Sequence, residues 1–405
     1  MLTSLVREAR QAPSPAAPSL DASLGSNGAL ADALRAARDS NPDGLVHVVF
    51  ANGGFRRLAA NHLCSLARFG LDGRAVVVAS AQSGCDELRG LTRARCVVQP
   101  LGFSAQEASG WGQPAYRQLT RGKFAVFRYV VEAGYTTLLS DVDVAFRADP
   151  TPELRRLLAD GVDMVNMVDD RVLDKSDGAA CPAKPKDPNS GFFLVRPSEG
   201  SLAVMRRAAA LLAAGTAGYD GYDQGALTQA LSEHASGTAR WPGSGASVRH
   251  AYFNCSAVAN GYNFFVRPAV ARGAAVVHAN WMSGSDSKER CLRAADLWAL
   301  GDDGKRCAPP PQAAAATAAA PLLLRASLDK AGMRILDCTR ASAAPRGAIS
   351  FLAANAPARR EPPAEVAAAA GAGRAGGRRK QLQWVSKAPT PAPLLPPGED
   401  ASDVA

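Results

Sequence analysis

Two aspartates one residue apart, Asp141 and Asp143, stand at the end of the run Leu138-Leu139-Ser140-Asp141-Val142-Asp143-Val144. An apolar strand that ends this way delivers two carboxylates to the rim of a sheet. Hard divalent cations such as Mg²⁺ or Mn²⁺ take oxygen ligands of this kind, and a bound diphosphate supplies others. Asp-x-Asp is common in turns, so the tripeptide gains meaning only from the elements that hold it in place.

Those elements alternate. Val46–Ala51 is a continuous apolar, β-branched run, as expected of a strand covered on both faces. Asn52-Gly53-Gly54 turns the chain, and Phe55 to Phe69 then carries helical spacing through Leu58, His62, Leu63 and Leu66, with Gly70 placed to end the helix. Strands are expected over Arg74–Ser80, at Cys96-Val97-Val98 and over Thr136–Ser140, the last preceded by a long helix from Tyr116 to Ala133. Strand and helix in alternation give a doubly wound, mostly parallel sheet with its site at the strand C-termini, which puts Asp141 and Asp143 in the crevice. The second half has shorter elements. Strands are expected at Asp163–Val168, Phe192–Val195 and Ala275–His278, and helices at Leu202–Ala214, Gln224–His234 and Glu289–Leu300.

The chain of 405 residues is 47% hydrophobic and 20% charged, an ordinary globular balance with an ordered body over 43–301. Residues 1–42, rich in Ala, Pro and Ser, read as a flexible lead-in with one helix near Ala29–Arg38. Residues 302–405, rich in Ala, Pro, Gly and Arg, read as a mostly disordered tail that cannot bury enough apolar area to order itself. Net charge is +9, but residues 309–405 hold 12 Lys/Arg against 7 Asp/Glu, so the body is only mildly basic and does not read as a nucleic-acid binder. Arg378-Arg379-Lys380 reads as solvated charge, or as a contact for an acidic partner or anionic lipid. Eight cysteines without a Cys-x-x-Cys pair argue against structural zinc and leave disulfides and buried thiols equally open. Met1–Val6 is too short for a signal core and no run of about 18 apolar residues occurs, so neither leader nor membrane span is expected.

Read in order, several segments form a pattern. Asn61–Gly70 is followed by Leu119-Thr120-Arg121-Gly122-Lys123, Gly134-Tyr135, Leu138–Val144 and Asp149-Pro150-Thr151-Pro152. Asn189-Ser190-Gly191-Phe192-Phe193, Asp223-Gln224-Gly225-Ala226-Leu227 and Val277-His278-Ala279-Asn280-Trp281 come after. The ordered set resembles the nucleotide-diphospho-sugar transferase family of plants and green algae, a GT-A-fold group that includes cell-wall arabinosyl-, xylosyl- and galactosyltransferases. The resemblance spans about Val46 to Leu300.

It implies a GT-A-type sheet with a smaller C-terminal mixed region and a retaining transferase that uses a UDP-sugar, Mn²⁺ (or Mg²⁺) and a glycan or glycoprotein acceptor. Carried over by position, Asp141, Asp143 and His278 would hold the metal, with a core histidine as the structural alternative for His278. Gly284 and Lys288 would meet the diphosphate. Arg121 and Lys123, two apart on a helix, cannot share a face, and Arg121 is the preferred one. Asn189, Ser190 and Gly191 suit sugar hydroxyls, or else form a tight turn. Asp223 and Gln224 would face the donor sugar in the catalytic position, although Asp223 at a helix start also suits an N-cap. Ala51, Asn52 and Gly53 would contact uridine. Ser80-Ala81-Gln82 stands where the fold often has an aspartate, with Asp86 further on, which leaves the nucleotide less well defined. Asn254-Cys255-Ser256 is a glycosylation sequon expected to be buried.

Two other readings remain. A haloacid-dehalogenase-type phosphatase also has a strand followed by Asp-x-Asp, but Ala145 stands where that chemistry needs Thr or Val, and two strands precede the motif. A non-catalytic nucleotide-sugar or glycan-binding protein on the same fold would not need both aspartates and His278. The resemblance implies the Golgi lumen.

Overall fold

The computed structural model describes residues 20–100, 114–170, 181, 185, 187–215, 222–237, 245–266, 271, 273–309, 322–328 and 334–340. Arg378-Arg379-Lys380 and most of the expected tail lie outside them.

The chain begins with helices α1 (Leu20–Gly25) and α2 (Gly28–Asp39), then β1 (Val46–Ala51), α3 (Arg56–Ala67), β2 (Ala75–Ala79), α4 (Gln82–Leu88) and β3 (Arg95–Val98). Helix α5 (Pro114–Glu132) leads into β4 (Thr137–Ser140), β5 (Val144–Phe146), α6 (Thr151–Ala159), β6 (Met164–Val168) and β7 (Pro188–Val195). Then come α7 (Glu199–Ala214), α8 (Asp223–Ala235), β8 (His250–Tyr252), β9 (Val258–Asn260), α9 (Gly261–Val266), β10 (Val276–His278) and a helix over Ser285–Ala294.

Seven strands form one sheet in the order β3-β2-β1-β4-β7-β6-β8. Its pairings are parallel except at β4–β7 and β7–β6, so β7 alone runs against the rest. This is the mostly parallel, GT-A-type plan that the sequence implies. A second, mixed sheet, β5-β10-β9, is the smaller C-terminal region expected.

Strand β1 is buried at every position because both faces are covered. Val46, Val48 and Phe50 enter one core with α2, α5, α7 and α8, while Val49 and Ala51 enter the other with α3 and the small sheet. The helix expected near Ala29–Arg38 is α2, but it is packed rather than loose: Leu30, Leu34 and Ala37 are fully buried in the first core, which the helical spacing of those apolar side chains makes possible. In the tail, expected to be mostly disordered, Leu322–Leu328 and Arg334–Arg340 pair as antiparallel strands. The closing helix expected over Glu289–Leu300 occupies Ser285–Ala294 instead, opened by Gly284 at φ +78°. Among the described residues no helix is long and apolar enough to cross a membrane.

The cysteine question resolves toward disulfides: Cys64–Cys307, Cys85–Cys96 and Cys181–Cys255 are bonded, and no described cysteine is free. Asn254, expected to be buried, is exposed, and its Oδ1 accepts hydrogen bonds from the Ser256 amide and hydroxyl.

Candidate active site

Register brings the acidic pair and the late histidine together. Strand β4 ends at Ser140, and the chain passes through Asp141-Val142-Asp143 before re-forming as β5. Strand β10 runs antiparallel to β5 with His278 opposite Val144, and the Ala279 amide donates to the Asp143 carbonyl at 2.9 Å. His278 therefore arrives beside Asp143 through backbone pairing across more than a hundred residues. Its Nε2 lies 3.1 Å from Asp143 Oδ1 and 3.8 Å from Asp141 Oδ2. One ligand atom from each of Asp141, Asp143 and His278 lies within 4.8 Å of the others. Two carboxylate oxygens and an imidazole nitrogen on one point form a donor set suited to Mn²⁺ and, by its oxygens, to Mg²⁺.

On the other side of this point is Gly191. Its carbonyl accepts from the Asp141 amide at 2.7 Å, and a Cβ there would overlap the His278 ring and the Asp141 carboxylate. Asn189, Ser190 and Gly191 belong to the buried strand β7 rather than to a turn before it, because β7 reaches back to Pro188. The Asn189 side chain folds over its own strand and accepts from the Gly191 amide at 2.7 Å. Its amide nitrogen donates to Gln224 Oε1 at 3.1 Å and to Asp169 Oδ1 at 3.3 Å.

Lys123, not Arg121, reaches the site. Two residues on a helix are separated by roughly 200°, so when Lys123 turns inward Arg121 faces solvent, near Gly215 at the end of α7. Lys123 is buried, with Nζ 2.8 Å from Asp141 Oδ1 and 2.6 Å from Asp223 Oδ2. Burial works against its charge, but Asp141 and Asp223 outweigh that and raise its pKa above the usual lysine value. Lys123→Met leaves two carboxylates without their shared cation, and a broken buried ion pair costs about 3–5 kcal/mol. Urea denaturation of the variant should show a loss of that order.

Lys288, expected to meet a diphosphate, lies beside the acidic pair. Gly284 opens the helix that carries Lys288, whose Nζ sits 2.5 Å from Asp143 Oδ2. Burial opposes ionisation of Asp143, but Lys288 and His278 hold its carboxyl well below the usual carboxylate range. Asp223 and Gln224 open α8, with Asp223 buried and Gln224 half-buried. No cap hydrogen bond is made by the residue preceding them, and Asp223 instead spends its charge on Lys123. Ala51 and Asn52 are buried at the C-terminal end of β1, and Gly53 begins a short 3₁₀ turn there. The pairing of Val49 with Ser140 sets these residues level with the Asp141–Asp143 loop. Asp86 points elsewhere, into an exposed cluster with Gln82 and Arg89. Ser80, hydrogen-bonded through its amide to the Ala51 carbonyl, is the residue at that rim.

Sequence reasoning missed Asp169. It follows β6 and receives hydrogen bonds from Gln224 Nε2 at 2.9 Å, Asn280 Nδ2 at 2.6 Å and Asn189 Nδ2 at 3.3 Å. Burial pushes its carboxyl above the ordinary value, against the amides that favour the anion. The signal was present in Val165–Asp169, an apolar strand ending in an acid as β4 does. Asn280 was quoted in the motif after His278 without a role; its side chain ties Asp169 to the Gly261 amide.

The family model described as nucleotide-diphospho-sugar transferase matches residues 71–292, more than half of the chain. The chain belongs to the nucleotide-diphospho-sugar transferase family. It is accordingly a glycosyltransferase, and the phosphatase reading falls. Among curated proteins no sequence matches it. Solved structures similar to the transferase include mouse xyloside xylosyltransferase 1 without ligand, at 12% identity and TM-score 0.38, covering 58% of this chain and 98% of that one. An active-site variant of LgtC is 14% identical with TM-score 0.41, covering 64% and 100%. The glycosyltransferase GlyE of Streptococcus pneumoniae is 12% identical with TM-score 0.38, covering 58% and 54%. At these scores the structures add no argument, and membership rests on the family model.

Proposed function

We propose that this glycosyltransferase moves a sugar from a UDP-sugar to a glycan or glycoprotein acceptor with retention of configuration, using Mn²⁺ held by Asp141, Asp143 and His278. The observation that carries the reading is the convergence of those three side chains at the rim where β4 ends. The residues fit a cation: their donor types match, and Lys288 already lays a positive charge on Asp143. Bound there, the metal would neutralise the charge that builds on the departing diphosphate.

The protein's own groups do the rest. Lys288 and the helix N-terminus at Gly284 favour a phosphate beside the acidic pair, since free amides and a cation both attract an anion. Lys123 binds Asp141 to Asp223, so the metal side and the sugar side of the pocket are fixed to each other. Asn189, Gln224 and Asp169 form one hydrogen-bonded cluster whose amides and carboxylate suit sugar hydroxyls. Asp223 faces Lys123 across 2.6 Å, a pairing that weakens it as a nucleophile and favours front-face attack, with the leaving phosphate taking the acceptor's proton. The disulfides Cys64–Cys307, Cys85–Cys96 and Cys181–Cys255 favour an oxidising lumen, in keeping with the Golgi and with cell-wall glycans as the acceptor class.

A panel of UDP-sugars assayed with Mn²⁺, Mg²⁺ and EDTA tests this. Turnover of one or two donors, stimulated by Mn²⁺ and giving an α-linked product from an α-linked donor, is expected. Inversion of the anomeric centre would remove the retaining mechanism, and activity indifferent to EDTA would remove the metal.

A further inference from the structure

Beneath the Asp141–Asp143 loop lies a polar chain that the transfer chemistry does not use. His62 of α3 is fully buried, with Nδ1 2.8 Å from the Val144 carbonyl oxygen and Nε2 3.4 Å from Ser140 Oγ. Ser140 immediately precedes Asp141 and Val144 immediately follows Asp143. One imidazole therefore touches both flanks of the loop. His47 of β1, equally buried, places its Nε2 2.7 Å from the same Ser140 hydroxyl.

The proton positions follow from chemistry. A carbonyl only accepts, so His62 Nδ1 carries its hydrogen. A neutral imidazole has one, so His62 Nε2 is a bare acceptor for the Ser140 hydroxyl. That hydroxyl, having given its single proton, accepts from His47 Nε2–H, which leaves His47 Nδ1 as the bare atom. His47 Nδ1 is buried and has no partner among the described residues, so this tautomer leaves no N–H donor stranded there. Burial holds both rings neutral, His62 at about 4 and His47 well below its usual value. The run is directional: His47 to Ser140 to His62 to Val144. Ser65, one turn on from His62, accepts from the Phe146 amide at 3.2 Å, so α3 grips β5 twice. Phe146 packs edge-on against both imidazoles at 5.8 and 5.4 Å.

We propose that His62 is a positioning residue that pins both flanks of the Asp141-Val142-Asp143 loop and so fixes the separation of its two carboxylates, with His47 orienting the Ser140 hydroxyl that completes the clamp. Neither histidine belongs to the Asp141–Asp143–His278 cluster. The Asp141 amide and the Asp143 carbonyl already tie the loop to β7 and to the end of β10, and the buried polar chain adds a hold from the α3 side. The proposal rests on the cation-site reading for its consequence, but not for its geometry.

The test compares His62→Phe, Ser140→Ala and a remote core control, Leu34→Ala in α2, in two measurements at a temperature where each is folded by circular dichroism. Amide hydrogen exchange across residues 141–144 is followed in metal-free protein, and Mn²⁺ affinity in the presence of UDP is read by electron paramagnetic resonance. His62→Phe should speed exchange in the loop and weaken Mn²⁺ by about 10-fold or more each, and Ser140→Ala by about 3-fold. Leu34→Ala should lower the melting temperature and move neither. His62→Asn, which keeps a donor near Nδ1, should fall between wild type and His62→Phe. If His62→Phe matches Leu34→Ala on both readouts, the clamp is wrong; if it does not fold, Ser140→Ala decides alone by the same criterion. Should wild-type protein bind no Mn²⁺ while loop exchange still depends on His62, the clamp stands and the cation-site reading falls.

Discussion

Asp143→Ala is expected to abolish metal-dependent transfer, with kcat/KM down by about 10³-fold or more, the scale of the several kcal/mol that a bound cation contributes. Asp143 is the best-buried of the two acids, at 2% exposure, and the one that both His278 and Lys288 engage. Its loss removes a ligand and also strands the Lys288 ammonium against a methyl group. Excess Mn²⁺ should not rescue the variant, because Asp141 is then the one described carboxylate left in the cluster with His278. Asp141→Ala should be less clean in its effects, since it also releases Lys123, and part of its loss would be structural. Initial rates over a range of Mn²⁺ concentrations, beside the thermal stability of each variant, separate these outcomes. Rates for Asp143→Ala close to wild type would dismiss the metal assignment.

Gly191→Ala is the second large effect, and it needs no change of charge. The added methyl would overlap the His278 ring on one side and the Asp141 carboxylate on the other. It sits inside a buried strand, where alanine is intrinsically as good as glycine or better, so the sheet should persist. What gives way is the spacing of the three ligands. A misplacement of about 1 Å at a reacting centre costs roughly 10²-fold, and kcat/KM should fall by at least that. The melting temperature should stay within a few degrees of wild type. Steady-state kinetics with a matched Mn²⁺ titration would show weakened metal affinity; unchanged affinity would mean that the close approach at Gly191 has no part in building the site.

Much of this was legible in the residues, and what was not has a common cause. The β-branched run Val46–Ala51 announced a strand buried on both faces, and the helix ahead of β4 and the acids after it could be read from periodicity alone. His278 was placed by resemblance, whereas the reason it meets Asp143 is the antiparallel register of β10 on β5, a three-residue strand too short to leave a pattern. The choice between Arg121 and Lys123 turned on which face of α5 is buried, and helical spacing shows only that they differ. A tight turn was the alternative for Asn189-Ser190-Gly191, because Asn, Ser and Gly favour turns; the surrounding sheet overrides that preference and buries all eight residues of β7. Asp169 was overlooked although it ends an apolar strand as Asp141 does, because its partners Asn189, Gln224 and Asn280 are far away in sequence. The α2 helix was assigned to a loose lead-in on composition, while its Leu30, Leu34 and Ala37 share one buried stripe.

The proposed chemistry depends on one cation at one place. Diffraction at the manganese absorption edge from crystals soaked with Mn²⁺ and UDP locates it directly. A single anomalous peak in contact with Asp141, Asp143 and His278, with Lys288 moved off Asp143 toward the diphosphate, is the expected result. A peak elsewhere in the cleft, or none while Lys288 stays bound to Asp143, would contradict it.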